Sequence, residues 1–571
     1  MVVGWWWWTW RGVAVAVAAA CLVAHVAARV ADALWWRPRR LEAHFARQGV
    51  RGPPYRFLVG CVREMVALMA EATAKPMSPA AAHNALPRVL AFYHYWRKIY
   101  GMDLDESCSI DDCPRGFWVS SWEGLMAIAV AGPTFLIWFG PTPRLTVAEP
   151  ELVREIFLTH AEAFDRYEAH PIVRQLEGDG LVSLHGDKWA HHRRVLSPGF
   201  YPENLNRLVP HVGRSVAALA ERWRGMACAA GAGGEVEVDV AEWFQAVAEE
   251  AITRATFGRS YNSGRVVFRM QARLMAFASE AFRKVLVPGY RFLPTKKNRL
   301  SWGLDREIRR GLVRLIGRRS GDAGEEDETT ELKDKDSGFN DLLGLMINAG
   351  VNKTMPVEDM VEECKTFFFA GKQTTTNLLT WATVLLAMHP DWQDRARREV
   401  LAVCGDAGDL PTKEHLPKLK TLGIILNETL RLSPPAVATI RRAKADVTLG
   451  GISIPRDTEL LVPIMAIHHD ARLWGPDAAQ FNPARFAGGA ARAARHPLAF
   501  IPFGLGSRMC IGQNLALLEA KLAMAILLQR FDLALSPNYV HAPTVLMLLY
   551  PQYGAPLIFR PRQSQPFDQQ H

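Results

Sequence analysis

The residues best equipped for chemistry stand in one ten-residue window, Phe503-Gly-Leu-Gly506-Ser-Arg508-Met-Cys510-Ile-Gly512. A thiolate that binds a metal needs backbone N–H groups aimed at its sulfur. Gly506 and Gly512 allow the tight turning and close approach that this requires. Arg508, two residues before the sulfur, can pair with an acidic group of a cofactor. The segment after Gly512 has helical periodicity, and the positive end of such a helix favours a thiolate beside it. A lone cysteine near a glycine turn would by itself be structural. Phe503, Gly506, Arg508, Cys510 and Gly512 in one window point instead to a ligand loop.

Three weaker groupings accompany it. Ala370-Gly371-Lys-Gln373-Thr374-Thr375 lies midway along a continuous helical pattern from Thr354 to Met388. Gly371 lowers helix propensity and would let a ligand approach the backbone. Thr374 can bond a backbone carbonyl and open a groove there. Glu428 and Arg431, three apart, share a helix face, as do Trp189 and Arg193, four apart. Taken alone, these read as a surface ion pair and an ordinary amphipathic face. His191 and His192 between the latter two read as surface residues rather than metal ligands.

The elements that must position these groups follow from pattern. The long helix is free of proline after Pro356 and would run about 50 Å, with Thr354 as its cap and Glu358 and Asp359 at its positive end. His389-Pro390 ends it. Phe135–Phe139 and Leu145–Val147 flank a Gly-Pro turn and predict a hairpin. Short strands are expected around 447–454 and 459–464. The charged stretch between Gly321 and Gly338 predicts a solvated loop. There are no internal repeats.

The 571 residues carry 49% hydrophobic and 22% charged side chains, enough for a large core. The net charge of +9 is spread along the chain without a basic arm, which argues against nucleic acid and suits a membrane surface or acidic partner. Eight scattered cysteines form no CxxC pair, so neither a disulfide framework nor a zinc cluster is expected. Near the N-terminus an apolar run, Gly12 to Leu34, lies between tryptophan clusters at 5–10 and 35–36. It reaches about 35 Å as a helix, enough to span a bilayer. His25, Arg29 and Asp32 are its charged or titratable members. Arg37, Arg39, Arg40, Arg47 and Arg51 follow, which predicts a single span with the remainder in the cytosol. We expect an anchor over 1–36, a basic, proline-containing linker over 37–54, and one globular domain over 55–571.

The Phe-x-x-Gly-x-Arg-x-Cys-x-Gly spacing resembles the haem-binding loop of the cytochromes P-450. The other groupings fall in that family's order, with Phe481-Asn-Pro483-Ala-Arg485-Phe486 following Glu428-x-x-Arg431. The resemblance covers roughly 40 to 560. It implies the mainly α P-450 fold with a small β domain, preceded by a transmembrane helix. It implies haem b held through its iron by Cys510, with Phe503, Gly506, Arg508, Gly512, Trp189, Arg193 and Arg441 (Arg442 as neighbouring candidate) around the cofactor. Ala370, Gly371, Gln373 and Thr374 match the oxygen-activation site, Gln373 standing where the family usually has an acid. Glu428, Arg431 and Arg485 match a buried ionic triad. Phe367, Phe368, Ala370, Ala436–Ala438 and Thr544–Leu546 match pocket positions.

The resemblance also implies electrons from NADPH through a membrane-bound NADPH–cytochrome P-450 reductase docking on a basic face, O2 as co-substrate, and the endoplasmic reticulum membrane. Arg51-Gly-Pro-Pro-Tyr-Arg-Phe, Phe367-Phe-Phe-Ala-Gly-Lys-Gln-Thr-Thr, Pro434-Pro-Ala and Asn514-Leu-Ala are similar to the plant 72 clan. Within it the chain is most like the brassinosteroid-inactivating enzymes, which hydroxylate the steroid side chain at C-26. Other readings are oxidation of another plant lipid or terpenoid, a reductase-independent haem-thiolate isomerase, and a non-catalytic sterol binder. Residues 102–133, with Cys108 and Cys113, interrupt the family pattern; a retained intron or a misjoined gene is the preferred explanation, and a surface loop or a second membrane-touching segment is the alternative.

Overall fold

Prolines, glycines and apolar periodicity set the element boundaries. The computed structural model describes residues 3–78, 83–101, 134–168, 171–229, 234–282, 293–321, 341–351, 355–406 and 408–562. The anomalous segment 102–133, the charged stretch expected as a loop between Gly321 and Gly338, and Thr354, expected as a helix cap, fall on residues outside these.

The anchor helix runs Val3–Ala31, continues through a π turn at Asp32–Trp36 and into a second helix, Arg37–Ala46. Among the described residues this is the one helix long and apolar enough to cross a membrane. Asp32, the acid inside the apolar run, pairs with Arg40 at 2.6 Å. The expected linker over 37–54 is therefore helical in its first half. Pro38, in its first turn, donates no N–H to the preceding turn, and Leu34 O there accepts from Tyr55 Oη instead. Arg37 then reaches Asp457 (3.3 Å), and His44 Nε2 lies 2.9 Å from Ser453 O.

The body, expected as one domain, divides into two compact units because the chain leaves and re-enters each of them. The first comprises 1–74, 90–165 and 439–463, the second 75–89, 166–438 and 464–571. The first carries a five-stranded sheet ordered Phe135–Phe139, Thr142–Thr146, Glu459–Val462, Thr439–Ala443, Phe164–Arg166. The predicted hairpin is present, with Phe135 opposite Thr146 and Phe139 opposite Thr142. The expected strands near 447–454 form a two-stranded ribbon.

The second unit is mainly helical around the long helix Val357–Met388, hereafter the central helix. Pro356, not the expected Thr354, occupies its N-cap position and His389 its C-cap, so both ends fall where proline geometry dictates. Helix Val240–Phe257 packs along it, and helix Gln513–Arg530 packs on it from the C-terminal side of the cysteine loop. A three-stranded sheet of Val236–Asp239, Pro556–Pro561 and Phe531–Leu535 closes against helix Val209–Ala229 through Trp223, whose ring lies 4.5 Å from that of Phe559.

Candidate active site

The cysteine loop is folded by its own backbone. Cys510 N–H donates to Phe503 O (2.9 Å), Met509 N–H to Gly506 O (3.0 Å) and Gly504 N–H to Ile501 O (3.1 Å). Gly506 adopts φ +71°, as expected of a required glycine, and Gly504 adopts φ +75°, a second such position. Gly512 differs, since its φ of −88° demands no glycine. A Cβ there would lie 3.9 Å from Cys510 Sγ and 3.7 Å from the Phe200 ring, ordinary contact distances. The helix predicted after the loop begins at Gln513.

The Cys510 side chain is exposed, yet protein atoms crowd around it, so the thiol faces a recess in the second unit. Burial pushes the thiol up. The amides of Gly512 and Gln513 and the Arg193 guanidinium pull it back. Arg193 and Trp189 share one face of helix Gly186–Leu196. Arg508 stacks over Trp189 (4.5 Å to the ring) and donates to Leu184 O (2.8 Å). Burial holds Arg193 below its ordinary value, and Cys510 opposes that shift. Loop and helix thus place two guanidinium groups, one indole and one thiol together, a set able to hold a flat cofactor bearing carboxylates and a thiophilic metal.

His192 is not a surface residue. It is 2% exposed, with Nδ1 2.7 Å from Glu363 Oε1 and Nε2 3.4 Å from Asp359 Oδ2 of the central helix. Three residues after Trp189, it turns toward the neighbouring helix, a contact that local spacing does not reveal. His191 is half-buried.

On the central helix, Thr374 Oγ1 donates to Ala370 O (2.6 Å), the back-bond expected from the sequence. The helix nevertheless stays α-helical throughout this turn rather than opening. Gly371 has a different partner from the one expected: a Cβ there would meet Ile252 Cδ1 and Cγ1 at 2.6 Å. The missing side chain admits helix Val240–Phe257, not a ligand. Next to it, Lys372 is buried and donates to Glu249 Oε2 of the same helix (2.8 Å). Phe369, Ala370, Gln373 and Thr374 form the half-buried face. Phe368 is fully buried, 4.3 Å from the Phe268 ring, and belongs to the core rather than to a pocket wall. Phe367 packs near Phe200, while Ala436, Ala438, Val545 and Leu546 are half-buried.

Glu428, Arg431 and Arg485 come together without solvent. Arg431 donates Nε and Nη2 to the two oxygens of Glu428 (2.8 and 2.7 Å), and Arg485 Nε donates to Oε1 (3.2 Å). Arg431 also donates to His468 O, Ala478 O and Gln480 O. His468, absent from any sequence motif, extends the network. Burial holds it neutral, with a pKa of about 3, and its Nε2 accepts from Ile501 N–H (3.0 Å). Ile501 lies two residues before Phe503, so the triad supports the base of the cysteine loop. Arg441 belongs to the first unit, where its guanidinium lies over Phe157 (4.5 Å) and donates to Thr439 Oγ1. Arg442 donates to Asp457.

Comparison with known proteins agrees with this chemistry. The sequence profile described as Cytochrome P450 matches residues 128–556. The chain is 86% identical to "Cytochrome P450 734A4" of Oryza sativa subsp. japonica over 560 residues, covering 96% of this chain and 98% of the relative. It is 56% identical to "Cytochrome P450 734A1" of Arabidopsis thaliana, covering 94% and 95%. With "Cytochrome P450 CYP72A616" of Paris polyphylla identity falls to 40%, at 94% and 97% coverage. The loop geometry around Cys510 and these full-length similarities lead to one conclusion: the chain belongs to the cytochrome P450 family.

Proposed function

We propose that the protein hydroxylates the side chain of a brassinosteroid at C-26 and thereby inactivates it. Membership of the family makes the chain a haem-dependent monooxygenase that uses O2 and electrons passed on by a reductase. When bound, haem b supplies oxygen activation. The residues present fit it. Cys510 Sγ is the thiol in the recess, and Arg193, Arg508 and Trp189 surround it in a form suited to carboxylates. With the cofactor bound, Cys510 would hold its iron as a thiolate, and the Gly512 and Gln513 amides and Arg193 would stabilise that charge. Phe503, Gly506 and Gly512 shape the loop.

The remaining roles belong to the central helix. Thr374 Oγ1 gives its proton to Ala370 O and keeps its lone pairs for accepting one from elsewhere. Gln373 carries an amide that cannot ionise, so protons reach Thr374 through water rather than through an adjacent carboxyl. Phe369 and Ala370 offer apolar contact to a lipophilic substrate and exclude bulk water from its reacting end. The catalytic set is thus Ala370, Gln373 and Thr374, and Gly371, read from the sequence as a member, is a positioning residue that acts through helix packing.

The observation that carries this reading is the exposed Cys510 thiol enclosed by the guanidinium groups and backbone amides of its own unit. The steroid class is favoured by likeness to the 734A proteins along nearly the whole chain. We place the protein in the endoplasmic reticulum membrane, single-pass, with its catalytic portion cytosolic. The apolar helix and the arginines after it support this. Microsomes containing the protein and NADPH–cytochrome P450 reductase, incubated with castasterone, should yield a product one oxygen heavier. Absence of any product from a reductase-supported, haem-loaded protein removes the brassinosteroid assignment.

A further inference from the structure

A short strap, residues 176–180, lies flat on the first turns of the central helix. Thr366 Oγ1 donates to Glu177 O (2.7 Å), and Asp179 N–H donates to Glu362 Oε2 (2.8 Å). A Cβ at Gly178 would stand 2.5 Å from Glu362 O, and one at Gly180 2.5 Å from Thr366 Oγ1. Gln271, fully buried on helix Tyr261–Phe282, clasps the strap from another side. Its Nε2 donates to Lys365 O (2.8 Å) and Leu176 O (3.3 Å). Backbone groups and glycines therefore hold the strap, and the carboxyl of Glu177 takes no part in doing so.

Three buried acceptors around the strap have no hydrogen-bond partner: Glu177 Oε2, Gln271 Oε1 and Glu363 Oε2. An unpaired buried acceptor costs on the order of 1–3 kcal/mol, which favours a donor arriving from outside the protein. Burial also raises the Glu177 carboxyl above its usual range, Arg166 partly opposing.

Their place along the helix indicates which donor. Thr366 stands one turn before Ala370 and two before Thr374 on a shared face. The accessible part of that face ends where the strap covers it. Eight residues of helix separate Thr366 from Thr374, about 12 Å, a span comparable with a steroid skeleton.

We propose that Glu177 and Gln271 form a polar end wall of the substrate recess that accepts hydrogen bonds from hydroxyl groups on the ring end of a polyhydroxylated steroid. The inference rests on the steroid reading above. It adds the specificity-determining residues for the end of the substrate remote from the oxidised carbon. A hydroxyl bound there satisfies the orphaned acceptors, whereas a steroid lacking it leaves them unpaired, so the wall selects by penalty as well as by attraction.

Equilibrium dialysis of the full-length, haem-loaded protein in detergent tests this, with castasterone and an analogue lacking the ring hydroxyls as probes. The wild type should prefer castasterone. Glu177→Leu keeps every strap contact, because those use the main chain. It should lose affinity for castasterone by roughly tenfold while its affinity for the analogue holds. Glu177→Gln, which retains an acceptor, should keep part of the preference. Equal weakening of both steroids in Glu177→Leu, an unchanged preference, or a wild type that binds both steroids equally overturns the end wall and leaves the steroid assignment standing. A wild type that binds neither steroid overturns the assignment itself, and the end wall with it.

Discussion

Gly371→Ala places one methyl group where two helices touch. An alanine Cβ would lie 2.6 Å from Ile252 Cδ1 and Cγ1 and 3.1 Å from its Cβ. Carbon atoms settle at roughly 3.5–4.0 Å, so about 1 Å of overlap must be relieved. The terminal methyl of Ile252 can rotate aside. Cγ1 cannot, because a β-branched side chain in a helix has one dominant χ1, and Ile252 is 3% exposed. The helices must part locally, which costs about 1–3 kcal/mol. Alanine recovers roughly 1 kcal/mol of helix propensity. A net loss of about 0–2 kcal/mol follows, a drop of at most a few degrees in unfolding midpoint. The assay is thermal unfolding of the detergent-solubilised protein by circular dichroism, run as a double-mutant cycle with Ile252→Ala. Ile252→Ala alone should destabilise by about 2–5 kcal/mol. In that background Gly371→Ala should become neutral or stabilising, since its methyl enters vacated space. An equal penalty in both backgrounds would refute the packing role and return Gly371 to a ligand-facing one.

Glu428→Gln should cost about 3–5 kcal/mol, because it leaves the buried Arg431 and Arg485 without their shared carboxylate. The loss should appear first as weakened haem retention, since His468 and Ile501 couple the triad to the cysteine loop. Stability should also fall on acidification. His83, His468 and His469 have pKa values lowered to about 3, and His541 to about 4, against an ordinary 6.5. Below pH 6.5 the unfolded chain takes up protons that the folded chain refuses, so stability is lost progressively toward pH 4. Unfolding midpoints measured across that window should decline as pH drops, and a midpoint that rises instead contradicts the buried neutral assignment. Glu519 acts in the opposite direction. Burial raises its carboxyl well above 4.5, so its contribution to stability declines as pH rises above that value. Glu519→Gln should therefore raise the midpoint more at neutral than at acid pH.

Much of the scaffold was legible in local pattern. Pro356 and His389-Pro390 marked the central helix, the Gly-Pro turn marked the hairpin, and Phe503 to Gly512 marked the ligand loop. These features are written by residues adjacent in sequence. The rest depended on partners far away. Ile252 decides what Gly371 is for from more than a hundred residues upstream. His192 looked like a surface residue because only the packed central helix supplies Glu363 and Asp359. The strap 176–180 resembles any glycine-containing loop until Thr366 and Gln271 are placed against it. His468 belongs to no spacing pattern, and its role appears once its carbonyl meets Arg431 and its ring meets Ile501. Gln373 was visible as a departure from the family's usual acid.

The bond assigned between Cys510 sulfur and haem iron is open to direct measurement in full-length Cys510→Ser, compared with the wild type by its Soret band and the difference spectrum of the reduced, carbon monoxide-treated protein. The wild type should show the spectrum of a thiolate-ligated haem, and the serine variant should lose it together with steroid oxidation. A variant that binds haem with an unaltered Soret band and full activity would contradict the account at its centre.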